Sequence, residues 1–419
     1  MIASTPGLLE AIRDRFAHVD TCPFTGPRVF FENAGGALHL KSVAETSAFY
    51  ASIPDNQGRD NAASAALVDT IAKAKADMAR FFNAPGGTVF VGESGTEVLF
   101  RLVRTAALGA RDGGAMLGTT LEHPATVSAM TRWSEVTGRS FIRVPHDDAT
   151  GCVTPEAYAA HVTPDVRVAT IIHTSPVTGM AVDVAGAAAA IRAVAPEALI
   201  IVDGIQHASH GAVDVAALGI DGYAVSPYKM FSRHGYGVGW ASDRLCACTK
   251  EQIVGGPEAN WEMGTRDTGA YATFSDVIAY FDWLGEQVAP ETQGRARLEA
   301  AGRAIVAQEH ALTQALLHGT GNLAGLTEIE SVTLIGGNSI EGREGVVSIR
   351  LASMSSADLV QFLADRGIRV HIRKNDHYSG GVLGPLGFDD CVRVSICHYN
   401  SIEEIARFLD AMREASAPA

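Results

Sequence analysis

The sequence predicts an α/β fold with a large, mostly parallel sheet covered by helices, followed in the chain by a smaller α+β domain. From residue 85 to 245, short apolar runs alternate with helical stretches, which is typical of parallel strands connected by helices. After about residue 290 the rhythm changes to pairs of strand-like runs separated by helices. We expect a large domain over 31–290, a small domain over 291–419, and an N-terminal segment, 1–30, that packs with the small domain.

The apolar runs of the first region are short, and most are followed by a turn or a helical pattern. Strands are predicted at 88–91, 167–172, 198–202 and 222–225, and helices at 97–108 and 184–194. The glycine-rich run from Gly235 to Gly239 lacks the spacing and the following helix of a dinucleotide-binding fingerprint. It predicts a strand whose missing side chains let other backbone segments approach closely.

The second region contains two strands, a helix, two strands and a final helix, after one long helix. The long helix is predicted at 293–318, the strands at 331–335, 346–351, 368–372 and 391–396, and the shorter helix at 356–366. The final helix begins with a capping box, Ser401 to Glu404. This order of elements predicts the smaller α+β domain.

The composition excludes several classes of protein. A hydrophobic share of 47% with 19% charged residues suits a globular chain. There are 33 Lys and Arg against 47 Asp and Glu, a net charge of −14, so a nucleic-acid-binding surface is not expected. The apolar runs are too short to cross a bilayer, and the N-terminus lacks the layout of a signal peptide. We therefore expect a cytoplasmic protein with no nucleic-acid or membrane partner.

The cysteines form no pattern typical of a metal site. No CxxC pair or zinc spacing occurs among Cys22, Cys152, Cys246, Cys248, Cys391 and Cys397. Cys246 and Cys248 are interpreted as alternate residues near the end of a strand, which is only a weak metal pattern. Structural thiols are the favoured interpretation, because free cysteine usually behaves as a small buried hydrophobe.

Two polar residues lie where predicted strands end. Asp203 directly follows the apolar run 198–202, and Lys229 lies in Ser-Pro-Tyr-Lys shortly after the run 222–225. Ligands of open α/β sheets bind at the carboxyl ends of strands, although Asp203 alone is equally compatible with a turn residue. A lysine amine in such a place can form a Schiff base, and an acid can pair with a pyridinium nitrogen. These are the two groups that pyridoxal 5′-phosphate (PLP) requires from its protein.

Three further places fit a PLP site, and each has a structural alternative. Gly95 and Thr96 open a helix after a strand, where they could hold a phosphate or serve helix capping alone. His123 could stack on the cofactor ring or be a structural histidine. Arg393 lies on a predicted strand of the small domain, where its guanidinium suits either a substrate carboxylate or a surface ion pair.

Together these residues resemble the cysteine desulfurase-like branch of the class V aminotransferase group, whose members are fold type I PLP enzymes. The matching motifs are Asp203-Gly-Ile-Gln206, Ser226-Pro-Tyr-Lys229, Glu122-His123 and Arg393-Val-Ser. With Phe31-Glu-Asn-Ala-Gly near the start and Asn400 near the end, the resemblance covers nearly the whole chain.

The resemblance implies a role for each residue that would contact the cofactor ring. Lys229 would form the Schiff base and then move the Cα proton of the substrate. Asp203 would keep the pyridine nitrogen protonated, and Gln206 would hydrogen-bond the phenolic oxygen. His123 would stack on the face of the ring.

The resemblance also implies how the phosphate and the substrate would be held. The phosphate would be bound by three residues, Gly95, Thr96 and Ser226. Thr265 would reach the phosphate of a neighbouring subunit, which implies a homodimer with shared active sites. Arg393 would bind the carboxylate of an amino-acid substrate, with Asn33 nearby.

The main departure from the family pattern concerns sulfur transfer. In cysteine desulfurases a loop cysteine attacks the substrate sulfur and carries the persulfide, whereas the matching stretch here, 370–380, has no cysteine. Tyr228 and Pro176 also stand where histidine and asparagine are common in the group. We therefore expect a lyase that cleaves a Cβ–S or other Cβ–heteroatom bond without a persulfide cysteine, or alternatively an aminotransferase or amino-acid epimerase. The loop from Arg373 to His377 would recognise a charged substrate group or be a solvated loop.

Overall fold

The structure is a computed structural model that describes residues 2–211, 213–257 and 259–417. Its α-helices are α1 (Leu8–Arg13), α2 (Lys41–Ala51), α3 (Ala62–Phe82), α4 (Gly95–Gly109), α5 (Pro124–Thr137), α6 (Pro155–His161), α7 (Val184–Val194), α8 (Val215–Leu218), α9 (Asp243–Cys246), α10 (Thr268–Val288), α11 (Gly294–His318), α12 (Ser356–Asp365), α13 (Gly380–Leu383) and α14 (Ile402–Ser416). Its β-strands are β1 (Thr21–Cys22), β2 (Gly26–Pro27), β3 (Val29–Phe30), β4 (Thr88–Gly92), β5 (Ala115–Thr119), β6 (Ser140–Val144), β7 (Val166–Ile172), β8 (Leu199–Asp203), β9 (Gly222–Val225), β10 (Gly237–Ala241), β11 (Val332–Ile335), β12 (Val346–Leu351), β13 (Ile368–Arg369), β14 (His371–Lys374) and β15 (Asp390–Ser395).

The large sheet has seven strands in the order β4-β10-β9-β8-β7-β5-β6. Strand β10 is antiparallel to both of its neighbours, and the pairs from β9 to β6 are parallel. Both faces are covered, because Ile200 and Val202 of β8 join one apolar core while Ile201 joins the other. The predicted α/β class with a mostly parallel sheet is confirmed, and the chain has the architecture of fold type I PLP enzymes.

The smaller sheet is antiparallel throughout, in the order β11-β12-β15-β14. Its apolar face forms a second core with α12 and α14, to which Val392, Val394 and Phe408 belong. The predicted capping box is confirmed: the Ser401 hydroxyl accepts from the Glu404 amide while the Glu404 carboxylate accepts from the Ser401 amide.

Two predictions about local elements were wrong. The predicted strand 368–372 is divided into β13 and β14, because β13 pairs in parallel with β3 while β14 pairs with β15 in the other sheet. Cys246 and Cys248 are not alternate strand residues. Cys246 ends the short helix α9, which begins after β10 where the Ser242 hydroxyl accepts a hydrogen bond from the Leu245 amide.

The glycine-rich segment forms the predicted strand, β10. A Cβ on Gly237 would lie 2.3 Å from the carbonyl carbon of Ser94, and one on Gly239 would lie 2.5 Å from the Phe90 ring. The missing side chains therefore allow β10 to pass directly against the start of α4 and against β4.

The N-terminal segment contacts both parts of the chain. Arg13 donates to the Tyr399 carbonyl at 2.7 Å and pairs with Glu404 at 3.3 Å, both in the C-terminal part. Ile12 and Phe16 lie in the main apolar core with the large sheet. Of the helices in the described ranges, none is both long enough and apolar enough to cross a membrane, and the cytoplasmic location stays a prediction.

Candidate active site

Most of the residues that the sequence predicts for the site lie where strands of the large sheet end. Asp203 is the last residue of β8, and Lys229 ends a 3₁₀ turn that begins just after β9. Gly95 and His123 stand at the start of α4 and α5, which follow β4 and β5. This is the carboxyl edge at which open α/β sheets bind their ligands.

A cavity that is partly open to solvent lies between these residues. Six predicted site residues line it: Thr96, His123, Asp203, Gln206, Ser226 and Lys229. The wall is completed by Pro176 and Tyr228, the two positions at which the sequence departs from the family pattern, and by residues to which the sequence assigned no role: Ile172, Thr174 and Ile205.

Asp203 is a buried carboxylate held in a fixed orientation. One oxygen accepts from the Thr126 hydroxyl at 3.1 Å, and the other accepts from the Ile205 amide at 3.1 Å. Burial raises the pKa of Asp203, which means that its charge lacks full compensation within the protein. A cationic pyridinium nitrogen would supply that compensation.

Lys229 is buried at the centre of the cavity. Its Nζ donates to Gln206 Oε1 at 3.1 Å. Burial and the nearby Arg393 charge lower the pKa of the Lys229 amine to about 7. A substantial part of the amine is therefore neutral at neutral pH, which is the form that attacks an aldehyde.

The start of α4 offers a place for an anion. The Ser94 hydroxyl caps the helix by accepting from the Glu97 amide, so the amides of Gly95 and Thr96 lie in the first turn without partners inside the helix. A Cβ on Gly95 would lie 2.1 Å from Ser226 Oγ, so glycine is needed to bring the two together. Helix capping and an anion cradle coexist here.

His123 starts α5 and is neutral. Its Nδ1 accepts from the Ala125 amide at 3.2 Å, which caps the helix. Burial, aided by the Lys229 and Arg373 charges, lowers the pKa of His123 to about 4. A neutral imidazole can lie against a pyridinium ring without charge repulsion.

Arg393 is 2% exposed, so the surface ion pair that the sequence left open is excluded. Its Nη1 donates to the Pro176 carbonyl at 2.9 Å. Burial and the nearby Arg373 charge lower the pKa of Arg393 to about 9. A carboxylate would compensate this buried cation.

Four predicted site residues are not among those that line this cavity: Asn33, Thr265, Gly95 and Arg393, of which the last two contact lining residues. The Asn33 amide donates to the Ser395 carbonyl at 2.7 Å, and its oxygen accepts from the Tyr399 hydroxyl, so its side chain is engaged with the protein. Thr265 lines a separate cleft with Gln57 and Thr268.

Sequence reasoning missed two polar neighbours of Asp203. Thr126 lies in the first turn of α5, three residues after His123, and that spacing was an available signal. Glu122 was noticed only as part of a motif. Burial and the Asp203 charge raise the pKa of Glu122 to about 8, so its carboxyl is largely protonated at neutral pH.

The cysteines of the small domain are poorly suited to nucleophilic attack. Cys391 lies on β15 and Cys397 two residues beyond it, as expected from the sequence. Burial raises the pKa of Cys391 to about 11, and it raises that of Cys397 well above the usual range. The thiolate is the reactive form, so neither thiol is activated.

The cavity fits PLP on the chemistry of its donors. Its walls carry a buried amine, Lys229, and a buried carboxylate, Asp203, whose charge is not fully compensated. They also carry a place for an anion at the start of α4, which stays accessible because residue 95 is glycine. Lys229 would carry the cofactor aldehyde, Asp203 would pair with the ring nitrogen, and Gly95, Thr96 and Ser226 would hold the phosphate. Fold and site together define a PLP-dependent enzyme.

Comparison with known proteins places the chain in a family. Residues 29–408 match the family aminotransferase class-V, and the chain belongs to that family. It is a PLP-dependent enzyme of the lyase or transferase kind, in the cysteine desulfurase-like branch.

The individual relatives cover nearly the whole chain at modest identity. A probable cysteine desulfurase of Vibrio cholerae is 25% identical over 97% of this chain and 98% of the relative. The cysteine desulfurase-like protein ustD of Aspergillus flavus is 26% identical over 97% of this chain and 90% of the relative. The structure of a cysteine desulfurase from Thermococcus onnurineus shares the fold with a TM-score of 0.80, 21% identity and 97% coverage of both chains.

Proposed function

We propose that this enzyme is a lyase that cleaves a Cβ–S or other Cβ–heteroatom bond of an amino acid without a persulfide cysteine. The observation that carries the proposal is the segment between β14 and α13, which approaches the cavity with Tyr378. The Tyr378 and His123 rings lie 5.8 Å apart between centroids. The segment from Asn375 to Ser379 has no cysteine. An aromatic hydroxyl does not take over a sulfur atom as a thiolate does.

Bound PLP supplies an aldehyde that takes up the substrate amine and a ring that accepts the electron pair of a broken bond. Lys229, with its pKa lowered to about 7, can take and return the Cα proton near neutral pH. Arg393 would bind the α-carboxylate and so fix the orientation of the Cα–H bond. Asp203 would hold its charge against the ring nitrogen, with Thr126 and the Ile205 amide keeping it in place.

The relatives support both the proposal and its alternative. The Vibrio cholerae and Aspergillus flavus relatives carry names that refer to cysteine desulfurases, which act on a Cβ–S bond. A relative from Gibberella zeae, 25% identical over 98% of this chain, is called aminotransferase-like protein FGM3. Transamination or epimerisation by the same residues is therefore the second candidate.

The experiment is product analysis by mass spectrometry after incubating the PLP-loaded enzyme with L-cysteine and a panel of cysteine S-conjugates. Pyruvate with a released thiol is the expected result. Alanine with sulfur transferred to the protein would contradict a mechanism without a persulfide. A keto acid that retains the substituent, or inverted substrate, would favour the aminotransferase or the epimerase.

Two variants make this experiment decisive. Lys229→Ala removes the amine and controls for chemistry catalysed by free PLP. Cys391→Ser tests a thiol that lies opposite Arg373 in the small sheet and whose pKa responds to both Arg373 and Arg393. We expect Cys391→Ser to leave the product pattern unchanged.

We also propose a homodimer in which the Thr265 segment reaches the phosphate of the neighbouring subunit. Thr265 lies in a cleft outside the cavity of its own subunit. On the preceding segment Ile253 is 55% exposed and Val254 100% exposed, which favours packing against a second chain. Light scattering should give twice the 44.1 kDa of one chain, and Thr265→Ala should weaken PLP retention. A monomer with undiminished PLP affinity would contradict the proposal.

A further inference from the structure

One face of the small sheet presents cationic side chains towards the active site. In the register of β14 and β15, His371 lies opposite Arg393, and Arg373 lies opposite Cys391. Residues directly opposite each other in a pair share a face of the sheet, as do alternate residues along one strand. Val392, which lies between Cys391 and Arg393 on β15, belongs to the small-domain core on the other face. The alternation therefore places Arg373 and Arg393 on the same side.

Arg373 is half-buried and held by its own loop. Its Nε donates to Ser379 Oγ at 2.8 Å, and its guanidinium carbon lies 5.6 Å from the centre of the Tyr378 ring. This arrangement fixes the inner part of the guanidinium and leaves the terminal nitrogens for another acceptor. In the described part of the chain, Arg373 forms no salt bridge within 4.0 Å.

Arg373 is close to the reactive amine. Its charge contributes to the lowered pKa of Lys229, His123 and Arg393. A cation that is placed beside other cations raises the cost of their burial. The arrangement is favourable only when an anion occupies the space between them.

The nearby carboxylates compensate the two arginines only in part, because the charge of Asp376 raises the pKa of Arg373 and that of Glu32 raises the pKa of Arg393, yet burial prevails and both pKa values are lowered. Glu32 lies 3.4 Å from both Arg369 Nε and His371 Nδ1, so other side chains already engage its two oxygens. Asp376 is exposed, and its oxygen accepts from the Tyr378 amide at 2.8 Å. One α-carboxylate would compensate Arg393, which leaves Arg373 without a salt-bridge partner in the described part of the chain.

We propose that Arg373 binds an anionic group on the side chain of the substrate, while Arg393 binds the α-carboxylate. The substrate class is then an amino acid with an acidic group on its side chain, such as a sulfur oxyacid on Cβ or a carboxylate carried by a sulfur atom on Cβ. The guanidinium can bind either group with two parallel hydrogen bonds. This inference rests on the proposed function for the identity of Arg393's ligand and for the reacting bond.

The first test measures binding without turnover. Calorimetry on the PLP-loaded enzyme compares succinate with butyrate, two acids of similar size that lack an amino group and differ in one carboxylate. Succinate should bind about tenfold more tightly or better, the gain expected of one charge-assisted pair. Equal affinity for the two acids would overturn the assignment of Arg373.

Three variants test whether Arg373 causes the preference for succinate over butyrate. Arg373→Gln should bring the two dissociation constants to within about threefold of each other, because the added carboxylate then meets a neutral amide. Arg373→Lys should recover part of the preference, since it keeps the charge and loses the planar fork. Arg413→Gln removes an arginine of α14 whose side chain is 70% exposed and should leave the preference unchanged. Persistence of the preference in Arg373→Gln would overturn the proposal.

A second test separates this inference from the proposed function. The kcat/KM for L-cysteine sulfinate is compared with that for neutral S-methyl-L-cysteine in the wild-type enzyme and in Arg373→Gln. Loss of about tenfold or more for the sulfinate alone supports the assignment. Equal loss for both substrates would overturn it and leave the lyase intact. If the enzyme prefers succinate but cleaves no Cβ bond, the proposed lyase activity is contradicted and the assignment of Arg373 as an anion-binding residue is still supported.

Discussion

Two groups of charged side chains in the interior differ in how their charges are matched. The first is the reactive cluster of Asp203, Lys229, Arg373 and Arg393. The second is a histidine–glutamate network made of His207, His210, Glu309 and Glu344.

In the histidine–glutamate network each charge meets a partner. His207 Nδ1 lies 2.7 Å from Glu344 Oε1, and His210 Nδ1 lies 2.5 Å from Glu309 Oε2. His210 Nε2 lies 3.6 Å from the other Glu344 oxygen. In the reactive cluster the two guanidinium groups form no such pair within the described residues, and burial lowers the pKa of both.

The difference separates a structural use of buried charge from a functional one. Paired charges satisfy each other and join distant parts of the chain, whereas buried charges without protein partners are costly unless a ligand completes them. The reactive cluster therefore marks where cofactor and substrate bind, and the network marks where the small domain is fixed to the large one.

The largest expected effect comes from removing the amine of the reactive cluster. Lys229→Ala should lower turnover by more than about 10³-fold, because both Schiff-base formation and proton transfer depend on this group. Borohydride reduction followed by peptide mass spectrometry should place the cofactor on residue 229 in the wild-type enzyme and nowhere in the variant. Lys73→Ala, which removes an exposed lysine paired with Asp77, is the matched control. Unchanged turnover in Lys229→Ala would disprove the mechanism.

Removing the acid of the same cluster should have the next largest effect. Asp203→Ala should retain the fold and lose about 10²-fold or more in kcat, because the ring nitrogen loses its charge partner. Asp203→Asn keeps an oxygen that can accept from Thr126 and removes only the charge, so it should be similarly impaired. Near-normal turnover in either variant would mean that another acid serves the ring nitrogen.

The sequence predicted the reactive cluster better than the network, for a physical reason. Asp203 and Lys229 follow short apolar strands, and the carboxyl edge of a parallel sheet brings such positions together regardless of loop detail. The network depends on Glu309 in the middle of α11 and on Glu344 in a loop, each over 90 residues from its histidine. No local sequence pattern predicts pairs between residues so far apart in the chain.

The same limit explains the wrong strand and the incompletely understood loop. Residues 368–372 form two strands because β13 pairs with β3, about 340 residues earlier in the chain, which local hydrophobicity does not encode. From the sequence, Arg373 was recognised only as a basic residue of a loop that would either bind a charged substrate group or be solvated. Only the register of β14 against β15 places it on the face of Arg393.

Breaking the paired network should affect stability more than chemistry. Glu344→Gln should lower the free energy of unfolding by about 3 kcal/mol, because it leaves His207 and His210 without their shared carboxylate. Urea unfolding followed by tryptophan fluorescence gives this difference. Glu341→Gln removes an exposed carboxylate three residues earlier and should have little effect. A Glu344→Gln protein as stable as the wild type would show that the network is not what fixes the domains.

The pH dependence of the Glu344→Gln effect follows from two opposite shifts. Burial alone lowers the pKa of His210, but Glu309 and Glu344 prevail and raise it to about 9, so its stabilisation is complete below about pH 6.5 and is lost as the pH rises towards 9. Burial alone raises the pKa of Glu344, but His207 and His210 prevail and lower it to about 2, so its stabilisation is complete above about pH 4.3 and is lost towards pH 2. The difference between wild type and variant should therefore be largest between these limits, near pH 5 to 6.

The smallest expected effect concerns Glu122, a carboxyl beside the reactive cluster that forms no salt bridge among the described residues, although the Arg143 charge opposes the rise of its pKa. Burial and the Asp203 charge raise its pKa to about 8, so the folded protein binds this proton more tightly than the unfolded chain, where a glutamate titrates near pH 4.3. Its contribution to the free energy of unfolding is therefore complete below about pH 4.3 and declines as the pH rises towards 8.

Glu122→Gln replaces the protonated carboxyl with a neutral group of the same shape and should remove that decline. Between pH 6 and pH 7, an interval of one unit that lies between the two pKa values, the variant should gain about 1 kcal/mol relative to the wild type, since each pKa unit corresponds to about 1.4 kcal/mol. Urea midpoints at the two pH values measure it, with the exposed Glu135→Gln on α5 as control. Parallel pH profiles for Glu122→Gln and wild type would mean that Glu122 is ionised in the folded enzyme, and the reactive cluster would then hold a second buried anion.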